Sequence, residues 1–322
     1  MTSPAIDARR VIADLRELAR RTGDERGAQR LCWTEGWTTA RAFLAELLDE
    51  VGLAPAVDDA GNAWAELAGD GPTPLALGSH LDSVPDGGWL DGALGVMAAM
   101  GVVRAWAESG QRPPRSLVLV DWADEEGARF GASLFGSSAF AGTLDDSIEG
   151  LHDAEGRGAP EVLAEHGVEI RRALELGAAR RELAGYLELH IEQGPVLEDE
   201  GIRAAAVSGC VGIERHHLIF TGQASHAGTT PMDRRRDAGL AAAATALQIE
   251  AIGREASGMA TTGALELRPG IPTAVAGEAT LTVDLRHAEV PALTEMLAAA
   301  LEAGGHAATQ HGCELGSERI WG

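Results

Sequence analysis

Three apolar runs in this chain each lead into a residue of a type that binds metal ions. They end at His80, at Asp121 and at His190. Short apolar runs bounded by glycine and proline are typical of buried strands, and ligands of open α/β sheets bind beyond the carboxyl ends of the strands. The sequence therefore predicts one shared site at that edge, with side chains that suit zinc or a similar divalent ion.

Carboxylates follow these strand ends closely. Asp82 comes two residues after His80, Asp91 lies between glycines, and Glu125 and Glu126 are adjacent. A carboxylate such as Asp82 can hold a metal-binding imidazole in one tautomer, and Asp91 can bridge two ions about 3.5–4 Å apart. The side chains of Glu125 and Glu126 diverge in an extended segment. One can then bind metal while the other takes a proton from water whose pKa the metal lowers to about 7.

Each of these residues also has an ordinary structural explanation. A histidine after a strand is usually a satisfied structural residue, an aspartate between glycines is usually in a turn, and paired glutamates are usually solvated. The recurrence at three strand ends favours a functional site. The sequence contains no HExxH, GxSxG or GxGxxG motif and no lysine, which excludes Schiff-base and P-loop chemistry.

Composition limits the partners and the location. The formal net charge of -23 argues against nucleic acid and against anionic membranes as partners. The cysteines, Cys32, Cys210 and Cys313, are far apart, and the first ten residues contain no apolar core of a signal peptide. We therefore expect a cytoplasmic protein with reduced thiols.

The order of predicted elements divides the chain near Ser208. Residues 1–208 have the pattern of an α/β domain, and residues 209–322 alternate as strand, helix, strand, strand and helix, which predicts an α+β unit with an antiparallel sheet. Helices are predicted at 7–21, 38–51, 93–107, 160–176, 236–252 and 291–303, the fourth of them mostly exposed. Further strands are predicted at 62–67, 216–221, 263–267 and 278–285.

Six segments, taken in order, resemble the dinuclear zinc amidohydrolases of the M20 peptidase superfamily. The most similar branch contains N-carbamoyl-L-amino acid hydrolases, allantoate amidohydrolases and β-ureidopropionases. The resemblance implies an aminopeptidase-like catalytic domain, with a central mixed sheet flanked by helices, and an α+β lid and dimerisation domain. The segments are GSHLDSVPDGG (78–88), DGALG (91–95), EEGARFG (125–131), HIEQGP (190–195), HAGTTPM (226–232) and DLRH (284–287).

The resemblance also implies the roles of the metal-site residues. His80, Asp91 and His190 would hold one ion, Asp91 and Glu126 would hold the other, and Glu125 would be the general base. Zinc is the expected metal, with manganese or cobalt as alternatives. The exopeptidases of the superfamily carry a carboxylate where this chain has His190, which favours carbamoyl or ureido substrates over peptides.

In the same way, substrate-binding roles fall on four residues. Gln193 would line the pocket, His226 would polarise the substrate oxygen, and Arg286 would clamp an α-carboxylate. Thr273 stands where the family has an asparagine, which leaves the substrate open. The alternatives are that His226 is one more polar residue of a glycine-rich loop and that Arg286 pairs with Asp284.

The expected function is metal-dependent hydrolysis of a linear C–N bond in N-carbamoyl-L-amino acids or related ureido compounds, by a homodimer. Two alternatives stay open: an M20 amino-acylase or peptidase, and a truncated, non-catalytic homologue. The family carries a further histidine ligand after the lid, and the 322-residue sequence has no match to that motif. On this basis we expect weak or no activity from residues 1–322 alone.

Overall fold

The computed structural model describes residues 3–322 of the chain. The chain divides into two compact units, Met1–Arg203 and Ala204–Gly322, whereas the sequence placed the boundary after residue 208. Among the described residues, no helix combines the length with the hydropathy of a membrane span.

The larger unit alternates helices with short strands. Its helices are α1 (Ala8–Thr22), α2 (Glu35–Asp49), α3 (Ala93–Ser109), α4 (Phe135–Ala141), α5 (Ala159–Glu165), α6 (Ile170–Glu175) and α7 (Val196–Asp199). Its strands are β1 (Gly23–Asp24), β2 (Gly27–Ala28), β3 (Ala56–Val57), β4 (Ala63–Leu67), β5 (Leu75–His80), β6 (Leu117–Trp122) and β7 (Gly185–Leu187). Short 3₁₀ turns lie at Asp146–Gly150 and Leu176–Ala179.

A mixed sheet with the strand order β3-β4-β6-β5-β7 forms the centre of this unit. Strand β5 runs parallel to both β6 and β7, whereas β4 is antiparallel to β6. The carboxyl ends of β5, β6 and β7 therefore lie at one edge, which confirms the predicted α/β class with a mixed sheet. The three apolar runs read from the sequence are these strands.

Apolar packing on both faces fixes the two middle strands. Helix α3 covers one face with the buried side chains of Val96, Met97 and Met100, which pack with residues of α1 and α2. On the other face, Val118 and Val120 of β6 pack in a cluster with tryptophans and the partly buried Phe140. Because β5 and β6 are buried on both faces, the loops that follow them start from rigid positions.

The predicted helix over residues 160–176 is wrong in its continuity, while most of its residues are exposed as expected. The segment breaks into α5 and α6 around Gly167, whose φ of +79° lies in the left-handed region. Val162, Leu163 and Ile170 are buried in a cluster around Trp33. Packing on this cluster, which the local pattern does not reveal, bends the chain and buries its apolar side.

The smaller unit places two helices on one face of an antiparallel sheet. The sheet has the strand order β10-β12-β8-β13, and the short strands β9 and β11 form a separate pair. The elements are β8 (Gly212–Thr221), β9 (Ser225–His226), α8 (Ala238–Glu255), β10 (Met259–Arg268), β11 (Ala274–Val275), β12 (Glu278–His287), α9 (Val290–Gln310) and β13 (Glu314–Trp321), with a 3₁₀ turn at Met232–Arg234. Strand β13 was missed by the sequence reading, because Glu314–Trp321 is charged and mostly exposed.

Candidate metal centre

Three of the predicted ligands converge beyond the carboxyl ends of the parallel strands. His80 ends β5, Asp91 lies in the loop before α3, and His190 follows β7. Each offers one ligand atom, and these atoms lie within 4.8 Å of one another. Among the described residues this is the one group of three or more His, Cys, Asp or Glu side chains so arranged.

A glycine allows the Asp91 loop to approach His80. Gly92 has a φ of +61°, and a Cβ added there would lie 2.4 Å from the carbonyl oxygen of His80 and 2.5 Å from its imidazole ring. No larger residue fits this space without moving the loop. The glycines that flank Asp91 in the sequence therefore do serve the site, and Gly92 is the one that geometry requires.

Both histidines turn the same nitrogen toward the centre of the cluster. The Nδ1 of His80 lies 3.0 Å from the carbonyl oxygen of Asp82, and the Nδ1 of His190 lies 2.7 Å from that of Ile191. Since a carbonyl accepts only, each Nδ1 carries a hydrogen, and in the neutral ring each Nε2 has the lone pair that could bind a metal ion. Imidazoles that ligate metals use this arrangement.

The Asp91 carboxylate shows that a cation fits between these groups. Its Oδ2 accepts a hydrogen bond from the Nε2 of Gln193, whereas its buried Oδ1 accepts none. That Oδ1 faces the Nε2 of His190 at 3.3 Å. Two electron-rich atoms at this distance repel each other unless a proton or a metal ion lies between them.

Asp82 organises the site without reaching its centre. Its side chain is 1% exposed, and its two oxygens accept hydrogen bonds from the backbone amides of Glu125 (3.2 Å) and Glu126 (3.0 Å). The same carboxylate lies 3.5 Å from the Nδ1 of His80. One buried acid thus fixes the His80 loop relative to the two glutamates.

The two glutamates occupy different positions at this site. The Oε2 of Glu125 lies 3.5 Å from the Nε2 of His80, at the rim of the cluster. Glu126 follows Glu125 in the chain, and its backbone amide donates a hydrogen bond to Asp82. Its side chain does not belong to the group of His80, Asp91 and His190. Burial raises the pKa of both carboxyl groups, and the charge of His80 opposes that shift.

The histidine pKa values reflect the density of acids around them. Burial lowers the pKa of His80, but the hydrogen bond and the charge of Asp82, with the charges of Glu125 and Glu126, outweigh it and raise the value to about 10. The Asp91 carboxylate, whose Oδ1 lies 3.3 Å from the Nε2 of His190, raises the pKa of that histidine to about 9. In turn, His190 lowers the pKa of Asp91. The cluster attracts cations, either protons or a metal ion.

Gln193 is the one predicted substrate-binding residue that lies in the larger unit. It has a φ of +57°, and its side-chain amide donates a hydrogen bond to the carboxylate of Asp91. In this structure Gln193 therefore orients a proposed metal-binding residue. This contact was not foreseen from the sequence, where Gln193 was assigned to the substrate pocket.

The other three predicted substrate residues do not form one cluster within the smaller unit. His226 pairs with Ala274 between β9 and β11, and Thr273 accepts a hydrogen bond from the amide of Ala227. Arg286 lies eight residues into β12 from Glu278, or about 26 Å along an extended strand. Its guanidinium binds Asp284 with Nε 2.7 Å from Oδ1, the alternative that the sequence had left open.

Asp121, which the sequence placed among the residues of the shared site, lies outside the three-residue cluster, and two further buried residues nearby, Asp124 and Arg30, were not found from the sequence. Asp121 binds Arg41 at 2.7 Å and accepts the amide of Leu81, while Asp124 accepts from the indole of Trp33. Arg30 is fully buried beneath the His80 loop. Residue type alone gives no signal for Asp124 or Arg30, and the apolar run before Asp121 predicts its place at the strand end but not its pairing with Arg41.

Comparison with known proteins gives a consistent family. The description "Peptidase family M20/M25/M40" matches residues 76–314. An N-carbamoyl-L-amino-acid amidohydrolase of Paenarthrobacter aurescens is 34% identical over 291 residues, which cover 89% of this chain and 71% of that protein. Another, from Geobacillus stearothermophilus, is 37% identical over 263 residues, which cover 81% of this chain and 64% of the relative.

Solved structures agree with the sequence relatives. An amidase of the hydantoinase/carbamoylase family from Burkholderia vietnamiensis superposes with a TM-score of 0.88 at 33% identity, over 100% of this chain and 78% of the other. The resemblance read from the six motifs is thereby confirmed, together with the fold class. The chain belongs to the M20/M25/M40 peptidase family.

Proposed function

We propose that this chain is a metal-dependent amidohydrolase that cleaves a linear C–N bond of N-carbamoyl-L-amino acids or related ureido compounds. The observation that carries the proposal is the convergence of His80, Asp91 and His190 within 4.8 Å, with Glu125 beside them. The names of the relatives, which are amidohydrolases of carbamoyl amino acids, support this choice of reaction.

The donor set suits two divalent ions. His80, Asp91 and His190 would hold the first, and Asp91 with Glu126 would contribute to the second. Zinc, manganese and cobalt all accept imidazole and carboxylate ligands. When bound, the ions would polarise the carbonyl of the substrate and lower the pKa of water.

Glu125 is proposed as the general base. Its carboxylate is at the rim of the cluster, and burial raises its pKa, so that it accepts a proton from water more readily than an exposed glutamate. The same group can then deliver that proton to the leaving nitrogen. Asp82 positions Glu125 through the amide hydrogen bond and so supports catalysis without touching the substrate.

In the smaller unit, His226, Thr273 and Arg286 are proposed to contact substrate, and the unit is proposed to dimerise. Strand β10 is an edge strand of its sheet, and it exposes Leu265 (42%) and Leu267 (43%). An apolar edge strand of this length favours pairing with another chain. Sedimentation velocity should show a dimer, and a monomer at all concentrations would contradict this part of the proposal.

The test is a hydrolysis panel with added zinc, manganese or cobalt. N-carbamoyl amino acids, β-ureidopropionate, allantoate and N-acetyl amino acids are compared, with release of ammonia or of the free amino acid as the readout. We expect weak turnover of a carbamoyl or ureido substrate by residues 1–322, and a further loss of at least about 100-fold in Glu125→Gln with metal binding retained. Preference for N-acetyl substrates would indicate an amino-acylase, and metal binding without any turnover would indicate a non-catalytic homologue.

A further inference from the structure

A buried arginine joins the two loops that carry the ligands His80 and Asp91. Arg30 follows strand β2 and is 0% exposed. Its backbone pairs with the loop beyond β5: Ser83 donates its amide to the Arg30 carbonyl at 3.0 Å, and Arg30 donates its amide to the Ser83 hydroxyl at 3.1 Å. The segment before Arg30 is thereby fixed along the loop that follows Asp82.

The guanidinium extends this connection to the second loop. Its Nε donates to the carbonyl oxygen of Leu81 at 2.6 Å, and its Nη2 lies 3.5 Å from the carbonyl oxygen of Asp91. Leu81 directly follows His80. One rigid, planar fork therefore spans the backbones of two ligand loops that are ten residues apart in the sequence.

Arg30 binds these loops through carbonyl oxygens and leaves the ligand atoms free. The carboxylates of Asp82, Asp91, Asp121 and Glu126 all attract its charge. Its remaining nitrogen, Nη1, is buried without a hydrogen-bond partner. Burying Arg30 costs the hydrogen bond that Nη1 lacks. In return, its positive charge offsets the repulsion among these four carboxylates when no metal is bound.

We propose that Arg30 is a positioning residue for the metal cluster, which holds the His80 and Asp91 loops at their ligating separation and thereby sets the metal affinity of the site. The inference rests on the proposed function, since it takes the cluster to be a metal site. Lysine would not replace arginine fully, because a single ammonium cannot bridge two carbonyls in fixed directions.

Cobalt titration of the full chain tests this proposal. The variants are Arg30→Met and Arg30→Lys, with Arg104→Met as a matched control. Arg104 is 4% exposed, binds Asp14 at 2.8 Å and also has a buried nitrogen, Nε, without a partner. It lies eleven residues after the start of α3, about 16 Å along that helix from the cluster.

The readouts are the dissociation constant of Co²⁺, from competition with a chelator, and the visible spectrum of the bound ion. We expect Arg30→Met to weaken Co²⁺ binding by at least about tenfold and to change the spectrum, as loss of an outer partner of metal ligands does. The Co²⁺ affinity of Arg30→Lys should lie between those of Arg30→Met and the unsubstituted chain. Arg104→Met should lower the melting temperature but keep the dissociation constant within about twofold, because it touches neither ligand loop.

Unchanged affinity and spectrum in a folded Arg30→Met would overturn the inference. If Arg30→Met does not fold, Arg30→Lys decides the question, because lysine keeps the buried charge. A Co²⁺ affinity and a visible spectrum equal to those of the unsubstituted chain would then overturn the proposal. A chain that binds Co²⁺ and hydrolyses no substrate removes the proposed function and leaves the Arg30 inference standing. A chain that binds no Co²⁺ removes both.

Discussion

The two sides of the metal centre are held by the fold in different ways. His80 and Asp82 are 2% and 1% exposed, at the end of the doubly covered strand β5 and in the loop that follows it. The His190 side chain is 33% exposed and follows β7, a three-residue edge strand next to Leu187 and Leu189, which are 60% and 52% exposed. We call these the buried half and the exposed half.

The difference indicates how the site forms. In the buried half, Asp82, Asp121 and Arg30 hydrogen-bond the loops into place without any metal. In the exposed half, the contacts that orient His190 among the described residues are those with Asp91 and with its neighbour Ile191, beside the stacked ring of His80. The folded chain therefore prepares one side of the cluster, and bound metal would fix the other.

Truncating one leucine in each half should give the largest contrast. Leu119 of β6 is 1% exposed within the main core, so Leu119→Ala should lower the free energy of unfolding by about 3 kcal/mol through lost burial and a residual cavity. Leu187→Ala should change it by no more than about 0.5 kcal/mol. Urea unfolding followed by tryptophan fluorescence measures the larger unit, where six of the seven tryptophans lie. Equal losses would contradict the division into halves.

Two carboxylates that each accept two backbone amides provide a matched pair. Asp82 accepts from Glu125 and Glu126, and the exposed Glu192 accepts from Val196 (3.0 Å) and Leu197 (2.9 Å). Asp82→Ala leaves two backbone amides without a hydrogen-bond acceptor and should lower the free energy of unfolding by about 2–3 kcal/mol. Glu192→Ala should lower the free energy of unfolding by about 0.5–1 kcal/mol, as the loss of a helix cap does. The contrast fails if both substitutions have the same effect in urea unfolding.

The pH dependence of the metal-free chain should give the smallest contrast between the halves, because the raised pKa values of His80 and His190 are close, about 10 and about 9. The folded-state pKa of His80 is raised to about 10 from an ordinary 6.5, so its contribution to stability is complete below about pH 6.5 and is lost as the pH rises through about 10. The melting temperature should therefore fall across this range. Saturating zinc should oppose the fall, because imidazole binds metal only after losing its proton.

Histidine variants show how much of the pH-dependent fall in melting temperature comes from each half. His80→Gln should remove more of the pH dependence than His190→Gln, since the pKa of His190 is raised less, to about 9. Differential scanning fluorimetry at several pH values, with a chelator present, measures the trend. A melting temperature that rises between neutral pH and about pH 9 would contradict the raised pKa values of the two histidines.

Sequence reasoning found the buried half and its partners in the cluster because each ligand follows a recognisable apolar strand. His80, Asp91 and His190 could be grouped because parallel strands bring their carboxyl ends to one edge. The strands themselves needed no more than short apolar runs with glycine and proline at their borders. These signals are local, and packing buries β5 and β6 as predicted, whereas β7 is an exposed edge strand and not a buried one.

Other features depend on contacts that local patterns do not contain. Arg30 was missed because its function lies in the carbonyls it bridges, which belong to a loop about fifty residues away. The break between α5 and α6 follows from packing around Trp33, and the pairing of Arg286 with Asp284 is one of two outcomes that the sequence allows equally. Long-range contacts decide the first two cases, whereas Arg286 and Asp284 are two residues apart and only the folded strand shows which partner Arg286 takes.

The most direct test of the metal centre is a crystal structure of the zinc-soaked chain with anomalous data collected at the zinc edge. We predict an anomalous peak about 2.0–2.2 Å from the Nε2 atoms of His80 and His190 and from a carboxylate oxygen of Asp91. A peak bound by other residues, or these three side chains turned away from any ion, would contradict the account.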